Sequence, residues 1–269
     1  LRASSDEFIR ARAEAEEAAG QADGISEIHD ELDAALTAAG GKHSGLVTPG
    51  QMEEALAQPV AQPTVTVDGG VATATVPAHF VEHDGQAYAD RLGHGIHDAV
   101  AHEACGVIVD LRGNSGGDMG PMLAGLSGLI SDGTALTFID RYNERPVLVE
   151  GNATRGGGSA VSVDGAGKYD VPVAVLADAG TGSSGEMTML AFRGLHYSRS
   201  FGEPTAGYAT ANTTFNMPDG AQVMLTTAEV RDRTGVTFND TPVVPDEVTG
   251  AEQAADAAAG WLAYEYGCR

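Results

Sequence analysis

The chain has 269 residues, enough to bury a substantial core as one larger domain or as a domain with a smaller appendage. Its formal net charge of −23 argues against binding nucleic acid or docking on anionic lipid, both of which need clustered cations, and no apolar run is long enough to span a bilayer. Two cysteines far apart, Cys105 and Cys268, allow either one disulfide or two buried thiols and form no metal or redox motif.

Residues 1–40 are rich in Ala, Glu and Asp, with Ile25, Ile28, Leu32 and Leu36 at helical intervals. They predict two helices separated near Gly20–Gly24, the second ending at Gly40-Gly41. The acidic run Glu14–Glu17 reads as a solvated helix face. A loop then carries Lys42-His43-Ser44, and Pro59–Pro63 marks a link after which the period changes to that of a strand. Val65, Val67, Val71 and 73–76 predict a hairpin turning at Asp68-Gly69-Gly70, followed by a helix over about 86–104. Gly106–Leu111 is a nearly all-apolar strand of the kind buried on both faces; it leads through a glycine-rich turn to a helix ending near Ile130. Strands near 135–139 and 146–150 precede a glycine-rich loop at 155–167. A second buried strand at 171–176 leads to another small-residue turn and a helix ending near Gly194. Shorter strands near 198–201, 212–216 and 222–230 and a helix over about 251–264 complete the chain. Buried strands alternating with helices predict an α/β fold, a mixed sheet core with flanking helices, behind a small N-terminal helical segment. The expected division is 1–62, carrying the His43 loop, and 63–269, the core.

Two turns carry the chemistry. Gly180-Thr181-Gly182-Ser183-Ser184-Gly185-Glu186 joins a buried strand to a helix, which presents a serine hydroxyl beside unpaired backbone N–H groups. Ser183 is the expected nucleophile and Ser184 its rival, since serine in such a turn also serves as an ordinary helix cap. Arg112-Gly113-Asn114-Ser115-Gly116-Gly117 repeats the arrangement after the other buried strand. In an α/β sheet, turns at the carboxyl ends of neighbouring strands face one crevice. The N–H groups of Gly116, Gly117 and Ser184 are therefore candidate oxyanion donors. Without a Walker lysine or G-x-G-x-x-G, a nucleotide site is disfavoured. His79 with His83, and His94 with His97, have helix-like spacings but no H-E-x-x-H; they read as surface or half-buried histidines around a helix, and neither metal nor cofactor is expected.

These motifs resemble those of the C-terminal processing (tail-specific) serine peptidases, a family that includes tricorn-type proteases. The residues that carry the likeness are Val107–Gly117 (V-I-V-D-L-R-G-N-S-G-G), Thr181–Glu186 (T-G-S-S-G-E), Gly202–Gly207 (G-E-P-T-A-G) and Pro245-Asp246, in the expected order. The resemblance implies a ClpP/crotonase-like core, a serine peptidase activity on Ser183, and an oxyanion hole at Gly116 or Gly117 with Ser184. Tail-specific members use a lysine just after G-E-P-T-x-G, where this chain has Tyr208; the only lysines are Lys42 and Lys168. Tricorn-like members use a histidine from an N-terminal loop, the position His43 matches, and imidazole suits a base near neutral pH. Asp240, Glu203 and Asp232 are candidates to orient His43, with Asp240 preferred for its place before Pro245-Asp246. Tyr208 reads as packing or a substrate contact, because a phenol titrating near 10 is a poor base. The link from the His43 loop to strand 71–76 is too short for a PDZ module.

The leading expectation is a serine hydrolase that cleaves peptides without a cofactor. Two alternatives stand beside it: a non-catalytic binding protein of the retinoid-binding type on the same scaffold, and a hydrolase or cyclase of a small specialised metabolite or short modified peptide. The chain opens on Leu1 rather than methionine, which suggests a trimmed or mature form in which a signal peptide would not be visible. The expected location is secreted or cell envelope, with the cytoplasm as the alternative.

Overall fold

A computed structural model describes residues 2 and 4–268. Along the chain the helices are α1 (Asp6–Ala19), α2 (His29–Gly40), α3 (Pro49–Ala57), α4 (Gly85–Ala101), α5 (Met119–Gly125), α6 (Ser184–Phe192) and α7 (Ala254–Tyr266). The strands are β1 (Gly45–Val47), β2 (Thr64–Asp68), β3 (Val71–Thr75), β4 (Gly106–Asp110), β5 (Gly133–Ile139), β6 (Glu144–Glu150) and β7 (Ala153–Arg155). They continue with β8 (Val173–Ala177), β9 (Ser198–Gly202), β10 (Thr210–Asn216), β11 (Gln222–Asp232), β12 (Thr237–Phe238) and β13 (Glu247–Val248). The chain forms two compact units, Leu1–Pro59 with Thr210–Glu229, and Val60–Ala209 with Val230–Arg269.

In the first unit, α1 begins where the Ser5 hydroxyl accepts the Phe8 N–H, and α2 stops at Gly41, whose φ of 83° a side chain would oppose. The loop after α2 is pinned at several points. Thr226 N–H donates to the Ser44 hydroxyl (2.9 Å), and Leu46 N–H donates to Asp33 Oδ1 (2.8 Å). β1 pairs antiparallel with β11, as does β10. Helix α3 carries a capping box between Thr48 and Gln51 with Pro49 at its first position.

The second unit is built on a six-stranded sheet of order β13-β9-β8-β4-β3-β2, parallel throughout except for the β2–β3 hairpin. Strand periodicity explains why residues 107–109 of β4 and all of β8 are apolar. Val107, Val109, Val173 and Val175 pack on one face with Tyr88, Leu92 and Ile96 of α4, Met122 and Leu123 of α5, and Met187 and Leu190 of α6. Ile108, Ala174 and Leu176 point the other way, against Phe201 and against Ala254, Ala258 and Leu262 of α7. The sheet is thus covered on both sides, as a parallel sheet requires. A disulfide between Cys105 and Cys268 fastens the end of the chain to the start of β4. Beside this sheet, β5, β6 and β7 form an antiparallel meander, and the end of β11 pairs with β12.

The mixed α/β architecture and the N-terminal helical segment agree with the expectation from sequence. The histidine reading needs correction. His94 and His97 lie on α4 as expected, but His79 and His83 precede it, and His79 is only 2% exposed. Its segment is drawn inward because its backbone joins the second glycine turn, described below.

Candidate active site

β4 and β8 are adjacent and parallel, with Asp110 opposite Leu176, so the turns that follow them emerge at the same end of the sheet. Hydrogen bonds lock one turn to the other. The Thr181 hydroxyl donates to Leu111 O (2.9 Å), Gly182 N–H donates to Asn114 O (2.9 Å), and Asp178 Oδ1 accepts from both Gly113 N–H (2.9 Å) and Gly180 N–H (3.0 Å). The buried Asn114 side chain braces its own turn, giving a hydrogen bond to Val76 O and accepting one from Gly116 N–H (2.9 Å).

Ser183 has φ 50° and ψ −118°, and Glu103 is the only other non-glycine residue with positive φ among those described. A β-carbon in that region carries a strain of about 1–3 kcal/mol, which persists only where the surroundings over-determine it. Glu186, one turn into α6 and wholly buried, supplies much of the constraint. Its Oε2 accepts Ser183 N–H (2.9 Å) and Tyr208 N–H (2.7 Å), while its Oε1 accepts Gly207 N–H (2.8 Å) and the Thr205 hydroxyl. Burial pushes the Glu186 carboxyl above its ordinary range, and the four hydrogen bonds act in the opposite direction. The carboxylate thereby ties the 205–208 segment to the serine turn.

The two serines differ in their engagement. The Ser184 hydroxyl donates to Gly117 O (2.6 Å), joining α6 to the glycine turn. Gly116 lies against the serine turn: a β-carbon on it would sit 2.7 Å from Ser183 Cβ and 3.0 Å from Ser184 N. Gly117 faces the opposite way, where a β-carbon would sit 2.0 Å from His79 O. There His79 N–H donates to Gly116 O (3.2 Å) and Asp118 N–H donates to His79 O, a parallel bridge that fixes the glycine turn on its outer side. Burial lowers the His79 pKa against opposing effects from Asp118 and Asp84, and neither ring nitrogen has a hydrogen-bond partner.

The second unit therefore brings together Ser183, Ser184, Gly116, Gly117 and the Tyr208 backbone. The Tyr208 ring lies beside Gly182, where a β-carbon would be 3.6 Å from Cδ2. Two of the three candidate carboxylates have local roles. Asp232 Oδ1 accepts from Thr234 N–H, the Thr234 hydroxyl and Val236 N–H within a turn, and Glu203 Oε1 accepts from Ala251 N–H (3.4 Å). Asp240 is half-buried near the end of the second unit. In the first unit, His43 Nδ1 is 2.6 Å from the Thr210 hydroxyl, and Asn212 Nδ2 donates to His43 O (2.9 Å). Sequence reasoning missed Thr210 and Asn212 because they lie far from His43 in the chain, on a strand with no motif. Among the described residues, no set of three or more His, Cys, Asp or Glu side chains is placed to hold a metal ion.

The signature of peptidase family S41 matches residues 78–249, a span that includes both glycine turns. The chain belongs to peptidase family S41. It is a serine-type peptidase. This S41 chain is 35% identical over 262 residues to the nisin-resistance protein of Lactococcus lactis subsp. lactis, an alignment covering 96% of this chain and 80% of that protein. Among solved structures it is similar to a lipoprotein from Streptococcus agalactiae, with a TM-score of 0.82 at 26% identity over 98% of this chain and 91% of the other. Its fold is shared with the photosystem II D1 C-terminal processing protease, with a TM-score of 0.53 at 21% identity over 72% of this chain and 50% of that one.

Proposed function

We propose that this S41 peptidase cleaves a peptide bond by attack of Ser183, with His43 as general base and the N–H groups of Gly117 and Ser184 as the oxyanion hole. The observation that carries the reading is the strained backbone of Ser183, held at positive φ while the Ser184 hydroxyl is engaged by Gly117 O. Gly117 and Ser184 are chosen as donors because Gly116 N–H is taken by Asn114 Oδ1, whereas their own N–H groups have no partner among the described residues. The role of Gly116 is then close approach to the serine. Each oxyanion donor contributes about 3 kcal/mol to the barrier reduction.

In this mechanism His43 Nδ1, 2.6 Å from the Thr210 hydroxyl, carries the ring proton, which makes Nε2 the basic nitrogen. Nε2 takes the Ser183 proton on attack and returns it to the leaving amine; water then hydrolyses the acyl-enzyme by the same route in reverse. Asp240 is proposed as the carboxylate that stabilises the imidazolium, on the strength of its position before Pro245-Asp246. Tyr208 is proposed as a substrate contact, its ring lying beside Gly182.

The name of the Lactococcus lactis relative makes nisin the first peptide to try as substrate. A cell-envelope location is proposed from the lipoprotein relative and from the Cys105–Cys268 disulfide, which needs an oxidising compartment. Among the described residues no helix is long and apolar enough to cross a membrane.

The test is labelling with a fluorophosphonate probe. Label is expected on the native protein and on Ser184→Ala and to be lost in Ser183→Ala; persistence in Ser183→Ala refutes the assignment. Replacing His43 with Ala should slow labelling by about 10²–10⁴-fold, and Asp240→Asn should slow it by a smaller factor.

A further inference from the structure

The segment that flanks the glycine turn carries two exposed apolar side chains in succession, Phe80 and Val81. Both glycines of the turn have positive φ, 116° and 103°, and here Gly116 faces Ser183 while Gly117 faces the 79–80 backbone. The Phe80 ring reaches the same place, with Cδ1 3.3 Å from where a β-carbon on Gly117 would sit. Phe80 is nevertheless 47% exposed and the adjacent Val81 67% exposed. Single apolar residues on a surface need no explanation, but two in succession, the first of them packed on a turn that touches Ser183, do.

The residues that precede them are pinned by hydrogen bonds. The Tyr88 hydroxyl donates to Pro77 O (2.6 Å), and the His79 backbone is bridged on both sides of Gly117. The Phe80 ring therefore lies against the glycine whose N–H is a proposed oxyanion donor, and Val81 follows it in the chain.

We propose that Phe80 and Val81 form an apolar subsite that receives a large apolar side chain flanking the cleaved bond. The occupant is a residue of the substrate peptide, and the proposal rests on Ser183 being the nucleophile. Covering the exposed ring face and the Val81 methyls favours Leu, Phe or Met over Ser or Asn at that position by about tenfold in kcat/KM.

The experiment compares peptides that differ only in the residue on either side of the cleaved bond, apolar against polar, with the native protein, Phe80→Ser and Val81→Ser. Far-ultraviolet circular dichroism confirms that each variant is folded, as expected for two exposed positions. The native protein should show the apolar preference at one of the two positions, and each variant should reduce the ratio toward one. A native protein without preference, or variants that keep it in full, overturns the subsite. Fluorophosphonate labelling of the native protein is read in parallel. Labelling on Ser183 with an unchanged preference removes the subsite alone, and failure to label Ser183 removes the nucleophile and the subsite together.

Discussion

Glu186 offers the sharpest perturbation of the serine turn. Replacing it with Gln keeps the shape but substitutes an NH₂ for one oxygen, so two of the four accepted hydrogen bonds meet a donor instead. The two orientations are not equivalent. With the NH₂ toward Ser183 and Tyr208, two backbone N–H groups are orphaned; toward Thr205 and Gly207, the Thr205 oxygen, which already accepts from Val243 N–H (2.8 Å), takes the NH₂ as a second donor, leaving one backbone N–H, that of Gly207, and the Thr205 hydroxyl proton. The second orientation wins. An orphaned buried donor costs about 1–3 kcal/mol, and the remaining bonds weaken when the acceptor loses its charge. Relief from burying a carboxylate offsets part of this, leaving a net loss of about 2 kcal/mol. For a chain of this size that lowers the unfolding midpoint by roughly 4–8 °C. Glu186→Ala orphans all four donors and releases the constraint on Ser183, so fluorophosphonate labelling should be lost as well. Thermal unfolding followed by circular dichroism, with labelling read on the same samples, measures both effects. A Gln variant that unfolds with the native protein, together with an Ala variant that labels at the native rate, would refute the view that this carboxylate holds the turn.

Other sites give independent checks. Gly116→Ala puts a methyl 2.7 Å from Ser183 Cβ at a φ of 116°, so labelling should be lost while the six-stranded sheet survives; normal labelling would show that the approach is not required. His79 titrates lower in the fold than the ordinary value of about 6.5, so the unfolded chain binds the proton first and stability falls as pH drops below that value. Urea titrations at pH 7.5 and 5.5 should show a smaller acid loss for His79→Phe than for the native protein, with Asp118, Asp84 and His83 unchanged in both. The Cys105–Cys268 bridge spans a sequence separation of 163 residues, for which the chain-entropy model gives about 5 kcal/mol. The double Cys105→Ser, Cys268→Ser variant should show a loss toward that ceiling in denaturant titrations, and an unchanged midpoint would contradict the pairing.

Much of the core was legible because its signals are local. The apolar runs of β4 and β8, the Asp68-Gly69-Gly70 hairpin and the strand-to-helix turns at Ser183 and Gly116 are each written within a few consecutive residues. α3 was overlooked although Thr48, Pro49 and Gln51 spell a capped helix start; its short, exposed length gives no hydrophobic period to notice. Other features were hidden for a different reason. The return of Thr210–Glu229 to the N-terminal segment, the Thr210 contact to His43 and the burial of His79 arise from pairings between residues far apart in the chain. Helical spacing misplaced His79 because its position is dictated by the bridge to Gly117, not by α4. Glu186 stood in the motif from the start, but its partners 205–208 become visible only once the chain is folded.

The central claim is that one of two adjacent serines is the nucleophile, and mass spectrometry of the labelled protein tests it most directly. After reaction with a fluorophosphonate and digestion, the adduct should map to Ser183, with Ser184 unmodified. An adduct on Ser184, or none on the 180–186 turn, would contradict the account.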